Sequence, residues 1–169
     1  GLYGAGAIVT KAALWLPYAV VMIALPRLAV AHQRRDALRM SIAALVGIGV
    51  VEVAGVLVLG PTIFPLAVGA EYAAVNGWLW LFTVEGAALA IAQLVTMYRV
   101  ASTDRIVGAL LWSALVAEIV VVAFWHGSIG TILAIATTTA VTAALAGLLI
   151  PVRARSSAEP GLELGSLGV

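Results

Sequence analysis

In the stretch YGAGAIVTKAALWLPYAVVMIALPRLAVAHQRRDALR (Tyr3–Arg39), an apolar run of membrane-spanning length ends in a cluster of arginines. The run itself holds one basic residue, Lys11. The cluster beyond it consists of Arg27, Arg34, Arg35 and Arg39. About 20 apolar residues, each rising roughly 1.5 Å, cross a bilayer core, and basic residues flank such spans on the cytoplasmic side. The stretch therefore predicts a transmembrane helix.

The composition extends this prediction to the whole chain. Of its 169 residues, 63% are hydrophobic and only 10% are charged, whereas soluble domains contain about 25% charged residues. The mean hydropathy is +1.13. Five apolar runs have spanning length: Ala5–Leu25, Ser41–Leu59, Ala73–Met97, Ile106–Trp125 and Ile129–Ile150. Since the runs are continuous rather than alternating, we predict an all-α integral membrane protein whose residues 1–150 form a bundle of five transmembrane helices.

The basic residues of the loops predict the orientation of this bundle. The links after the first, third and fifth spans contain eight of the nine Lys and Arg residues: Arg27, Arg34, Arg35, Arg39, Arg99, Arg105, Arg153 and Arg155. The links after the second and fourth spans contain none. The positive-inside rule then predicts an outer N-terminus and a cytoplasmic C-terminus, with residues 151–169 as a disordered cytoplasmic tail.

Prolines and small residues predict where the helices break or end. Pro17 is expected to kink the first span, and Pro26 to mark its end. Gly60–Ala73 contains two prolines and two glycines, so it predicts an interfacial turn rather than a sixth span. A secretory signal cleaved after Ala29-Val30-Ala31 is the alternative for the first span. Arg27 before that site and the four later spans oppose it.

Four ionisable residues fall inside the predicted spans: Lys11, Glu52, Glu85 and Glu118. A charge at the bilayer centre costs about 2.5–3.5 kcal/mol on insertion scales, so such residues usually face a protein or water interior. We expect all four to border one cavity open to the outside and to serve as substrate-binding or coupling candidates. The alternatives are a protonated, hydrogen-bonded glutamate for Glu52 and Glu118, and snorkelling to the interface for Lys11.

Helical spacing predicts the neighbours of two of these residues. Gln93 lies two turns beyond Glu85 and joins it as a candidate site residue. Trp15 and Tyr18 lie four and seven positions after Lys11, where either could offer a ring face to the ammonium group.

Several classes of function find no support in the sequence. The basic residues are spread over several loops and the net charge is +1, so no nucleic acid partner is predicted. Without cysteine there is no thiolate metal site, and no metal site is predicted. His126-Gly127-Ser128 lacks the Gly-x-Ser-x-Gly context of a hydrolase, and neither a P-loop nor an HExxH motif occurs. We therefore predict that the protein is not an enzyme.

Two stretches carry a family resemblance. Gly1–Ala29 combines a Gly-x-Tyr entry, a long apolar helix and Leu-Pro-Arg-Leu-Ala, and Val68–Val95 places Gly-x-Glu-Tyr directly before a long span. In this order they resemble the C-terminal half of polysaccharide flippases of the multidrug/oligosaccharidyl-lipid/polysaccharide (MOP) superfamily, which have a MATE-like fold. The resemblance implies a bacterial cytoplasmic membrane protein whose five spans are the last of a twelve-span core. The chain would then be a fragment whose partners are membrane lipids and a missing N-terminal helical bundle.

The resemblance also implies an activity. Such flippases move lipid-linked saccharides across the membrane by alternating access, without a cofactor, often coupled to a proton or sodium gradient. Lys11 would meet the lipid diphosphate, and the glutamates would be coupling sites. Two alternatives stay open: a cation-coupled MATE-like drug exporter, and a non-transporting membrane subunit or anchor.

Overall fold

The computed structural model describes residues 1–150 except 103, 105 and 126. The described part is helical and contains no strand. Five α-helices follow one another: α1 (Leu2–Ala29), α2 (Arg34–Val68), α3 (Leu79–Ala101), α4 (Ile106–Phe124) and α5 (Ile129–Leu149). A 3₁₀ helix, Ala70–Trp78, leads directly into α3. The predicted all-helical architecture is thus confirmed, and the long apolar helices fit a multi-pass membrane protein.

Four of the described helices are long and apolar enough to cross a membrane: Leu2–Ala29, Arg34–Val68, Ala70–Ala101 and Ile129–Leu149. Helix α4 has 19 residues, and its apolar stretch among the described residues is Gly108–Phe124. That α4 also spans the membrane stays a prediction.

Helix α3 is the centre of the bundle. It packs against α1, α2 and α5, while α1 also packs against α2, and α4 packs mainly against α5. One buried cluster joins α1, α2 and α3 around Leu28, Leu45 and Leu94. A second cluster surrounds Phe82 and Leu133 near the start of α1. The outward faces of α2 and α4 carry exposed large apolar side chains, as lipid contact requires.

Prolines end fewer helices than the sequence predicted. Helix α1 continues through the buried Pro17 and through Pro26 as far as Ala29. The prediction that Pro26 ends the helix was therefore wrong, and the kink at Pro17 stays a prediction. A proline within a membrane helix is tolerated where neighbouring groups satisfy the freed backbone atoms.

The predicted turn at Gly60–Ala73 was wrong for its first half. Helix α2 runs through Pro61 and Pro65 to Val68, and ends at Gly69, whose φ of +121° suits glycine. Because Pro65 has no N–H, the carbonyl of Pro61 lacks its helical donor. The side-chain amide of Asn76 donates to that carbonyl at 3.4 Å instead, so a polar residue of the 3₁₀ helix compensates for the proline.

Candidate functional site

The seam between α1 and α3 holds the most buried of the predicted site residues, Glu85. The two helices touch closely at Gly86, where an added Cβ would lie 2.5 Å from the carbonyl oxygen of Thr10. This approach places the Thr10 hydroxyl 3.1 Å from the carbonyl oxygen of Phe82 and 3.1 Å from Oε2 of Glu85. Glu85 is only 8% exposed. The missing side chain at Gly86 thus brings a carboxyl group into contact with α1.

The protonation state of Glu85 depends on which of its two neighbouring oxygens the Thr10 hydroxyl hydrogen bonds to. A threonine hydroxyl has one hydrogen to donate, and a backbone carbonyl only accepts. If Thr10 donates to Phe82, Glu85 must be a neutral acid that donates to Thr10. If Thr10 donates to Glu85, the glutamate can be a carboxylate. The two arrangements differ by one proton and require no movement of heavy atoms, so this seam can gain or lose a proton in place.

Two further groups lie within electrostatic range of Glu85. The Glu118 carboxylate of α4 interacts with Glu85 and with Tyr3 of α1, and the Tyr3 ring packs on Phe82 with centroids 5.6 Å apart. Glu118 is partly exposed. Two of the three predicted glutamates, on α3 and α4, thus lie within electrostatic range of each other.

Glu52 lies in a separate cleft. This cleft, of about 450 Å³, is lined by apolar side chains of α1 and α2, including Ile8 and Leu16, together with Thr83 of α3. The Oε2 atom of Glu52 is buried without a hydrogen-bonding partner among the described residues. A buried unpaired carboxyl oxygen costs about 1–3 kcal/mol or more. Lys11 is not among the described residues that line this cleft, so the cleft does not bring Glu52 and Lys11 together.

Lys11 is exposed on the surface of α1. One and two turns further along, the rings of Trp15 and Tyr18 pack with centroids 6.2 Å apart at an angle of 48°. These two residues, Leu14 and Gln93 line a cavity of about 280 Å³ between α1 and α3. The structure thus places Gln93 beside the two aromatic residues that follow Lys11.

A polar cluster that the sequence analysis did not predict lies at the end of the bundle where α1, α3 and α5 finish; we call it the basic end. Arg99 of α3 is 0% exposed. Its guanidinium donates to the carbonyl of Gly147 at 2.8 Å, to the carbonyl of Ile150 and to the Asp104 carboxylate. Arginine at a helix C-terminus interacts favourably with the unpaired carbonyls. Its position in the last turn of α3 was the available signal.

Arg34 makes the corresponding connection for α1. It donates to the carbonyl of Leu28 at 2.8 Å and to the Ser102 hydroxyl at 3.0 Å. The ends of α1, α3 and α5 are therefore held together by arginines that sequence reasoning treated as loop charges.

Other predicted features have different outcomes. The Ser128 hydroxyl accepts the backbone N–H of Thr131 at 3.1 Å and caps α5, which gives this serine a structural role. His126, Arg105, Arg153, Arg155 and the predicted disordered tail 151–169 lie outside the described residues. Among the residues described, no group of three His, Asp or Glu side chains could hold a metal ion.

Comparison of the chain with protein-family models, with curated proteins and with solved structures gave no match.

Proposed function

We propose that the chain is part of a transporter that moves a lipid-linked saccharide across the bacterial cytoplasmic membrane by alternating access. The observation that carries the proposal is the environment of Lys11. This ammonium group lies within a membrane-length helix and is exposed. In the part of the chain that the structure describes, it has no ion pair. A cation is costly in a lipid environment, and an anionic ligand such as a diphosphate would offset that cost.

The sequence resemblance supports the same proposal, since Gly1–Ala29, the segment that contains Lys11, carries much of it. Five basic residues of the described chain, including Arg34 and Arg99, lie at or near the basic end. Under the positive-inside rule this end would be cytoplasmic. Lys11, near the start of α1, would then lie in the outer half of the membrane.

A transport assay tests the proposal. In the parent strain, outward exposure of the lipid-linked saccharide is followed for the wild type, Lys11→Ala and Lys11→Arg, with Arg35→Ala as the control for an exposed cation outside the span. We expect Lys11→Ala to abolish exposure, Lys11→Arg to retain part of it, and Arg35→Ala to leave it unchanged. Normal exposure with Lys11→Ala, at equal protein level, would contradict the proposal.

The second candidate is a cation-coupled drug exporter, which the pairing of Glu85 with Glu118 favours. Two carboxyl groups within electrostatic range, one of them hydrogen-bonded to Thr10, are suited to exchange a proton for a cation. Glu85→Gln should then abolish resistance to cationic drugs while Lys11→Ala leaves it intact. If neither substitution affects saccharide exposure or drug resistance, the remaining function is that of a non-transporting subunit or anchor.

A further inference from the structure

We infer that the cavity lined by Leu14, Trp15, Tyr18 and Gln93 binds a sugar residue of the transported molecule; this inference rests on the proposed saccharide transport. The cavity opens between α1 and α3 beyond the tight contact at Gly86. With a volume of about 280 Å³, it is slightly smaller than most ligand sites, which usually measure about 300–1,000 Å³. Its size suits one sugar residue rather than a long chain.

The lining matches the two kinds of surface that a pyranose presents. The C–H faces of a sugar ring are apolar, and the rings of Trp15 and Tyr18 offer apolar faces inclined by 48° to one another. Trp15 is 73% exposed, so its large ring is available to a ligand. The hydroxyl groups around the edge of a sugar ring require donors and acceptors. Leu14 completes the apolar part of the lining.

Gln93 supplies the polar contact. Its amide has two donor hydrogens and one acceptor oxygen, and none of them has a hydrogen-bonding partner within the described chain. An unpaired amide beside the exposed ring of Trp15 and the partly buried ring of Tyr18 is the arrangement expected where a ligand completes the hydrogen bonding. Because Gln93 is neutral, the site favours hydroxyl groups over an ion.

The charge near the cavity decides between a sugar and an organic cation, which aromatic rings also attract. None of the described residues that line the cavity carries a carboxylate. The nearest charged side chain along α1 is Lys11, four residues or about 6 Å of helix before Trp15. Its positive charge opposes a cationic ligand and favours a sugar whose neighbouring group is a phosphate. The inferred site and Lys11 would therefore contact adjacent parts of one sugar diphosphate.

The test compares two probes on the full-length protein in lipid nanodiscs: polyprenyl diphosphate alone, and polyprenyl diphosphate carrying a single hexose or N-acetylhexosamine. The wild type should bind the best sugar-bearing probe about tenfold more tightly than the bare lipid. Trp15→Leu and Gln93→Leu should each remove this tenfold preference and leave affinity for the bare lipid unchanged. Lys11→Ala should weaken the binding of both probes.

Trp112→Leu is the matched control, since Trp112 on α4 is similarly exposed and lies outside the cavity lining; it should retain the preference. Helical content and melting temperature confirm that each variant is folded, and Trp15→Phe, which keeps a ring, should retain most of the preference. If the bare lipid binds through Lys11 but no sugar-bearing probe binds more tightly, or if Trp15→Leu and Gln93→Leu leave a preference intact, the sugar site is overturned and the proposed function stands. If the wild type binds neither probe, both are overturned.

Discussion

Replacing Gly86 by alanine should force α1 and α3 apart, because the new methyl group would collide with backbone atoms. It would lie 2.5 Å from the carbonyl oxygen of Thr10 and 2.7 Å from Cβ of Ala13, whereas ordinary contacts begin near 3.5 Å. The helices would have to separate by about 1 Å. That separation would lengthen the 3.1 Å contact between Thr10 and Glu85 beyond hydrogen-bonding distance.

The expected cost combines two contributions. Overpacking costs about 1–3 kcal/mol, and loss of the hydrogen bond about 0.5–1.5 kcal/mol. The higher helix propensity of alanine returns about 0.8–1 kcal/mol. A matched control removes this last contribution: at Gly47, in the middle of α2, an added Cβ would have no atom of the described residues within 4 Å. Gly86→Ala should therefore be less stable than Gly47→Ala by about 1.5–4.5 kcal/mol.

The assay is reversible unfolding in mixed micelles by titration with sodium dodecyl sulfate, followed by circular dichroism. Thr10→Val in each background supplies a double-mutant cycle. It should lower the free energy of unfolding with Gly86 present, and have a smaller effect with alanine at this position, where the bond to Glu85 is already broken. Equal stability of Gly86→Ala and Gly47→Ala would refute the close approach of the two helices.

Three other predictions use the same unfolding assay. Arg99→Ala should lower the free energy of unfolding by about 3–5 kcal/mol, since it leaves the carboxylate of its ion pair buried without a partner. Replacing the exposed Arg35 by alanine should change it by less than about 0.5 kcal/mol. Similar effects of the two substitutions would contradict the buried cluster. Glu52→Leu should leave stability unchanged or raise it, because an unpaired buried oxygen is removed, while Glu85→Leu should lower it by about 1 kcal/mol or more as a hydrogen bond is lost. If Glu52→Leu instead proved the more destabilising of the two substitutions, the environments assigned to Glu52 and Glu85 would be wrong. Ser128→Ala should cost about 1 kcal/mol through loss of the helix cap, and no change would show that the cap contributes nothing.

The apolar runs predicted the five helices well because their length and continuity depend on local composition. The end of α2 was less predictable. Pro61 and Pro65 are local signals for a break, but Asn76, more than ten residues away in sequence, donates to the carbonyl left free. Compensation of this kind depends on tertiary contacts, which composition does not reveal.

In the candidate site, too, features within one helix could be predicted from the sequence, whereas contacts between helices could not. Helical spacing predicted that Trp15 and Tyr18 share a face with Lys11, and the two rings do pack together. The arrival of Gln93 beside them depends on how α1 and α3 pack, and the contact of Thr10 with Glu85 depends on the close approach at Gly86. Neither follows from the periodicity of a single helix.

The bonding of Arg99 has a consequence for biosynthesis. Its two carbonyl partners belong to Gly147 and Ile150, at the end of α5, so 48 residues or more must be synthesised after Arg99 before these bonds can form. Until then its guanidinium must remain hydrated or meet Asp104 alone. The same charge that would orient α3 during insertion later bonds α3 to the end of α5. These bonds can form only after α5 has been synthesised and packed against α3. A lysine at this position would preserve the orienting charge but lose the planar arrangement of donors, so Arg99→Lys should yield a correctly inserted but incompletely assembled chain.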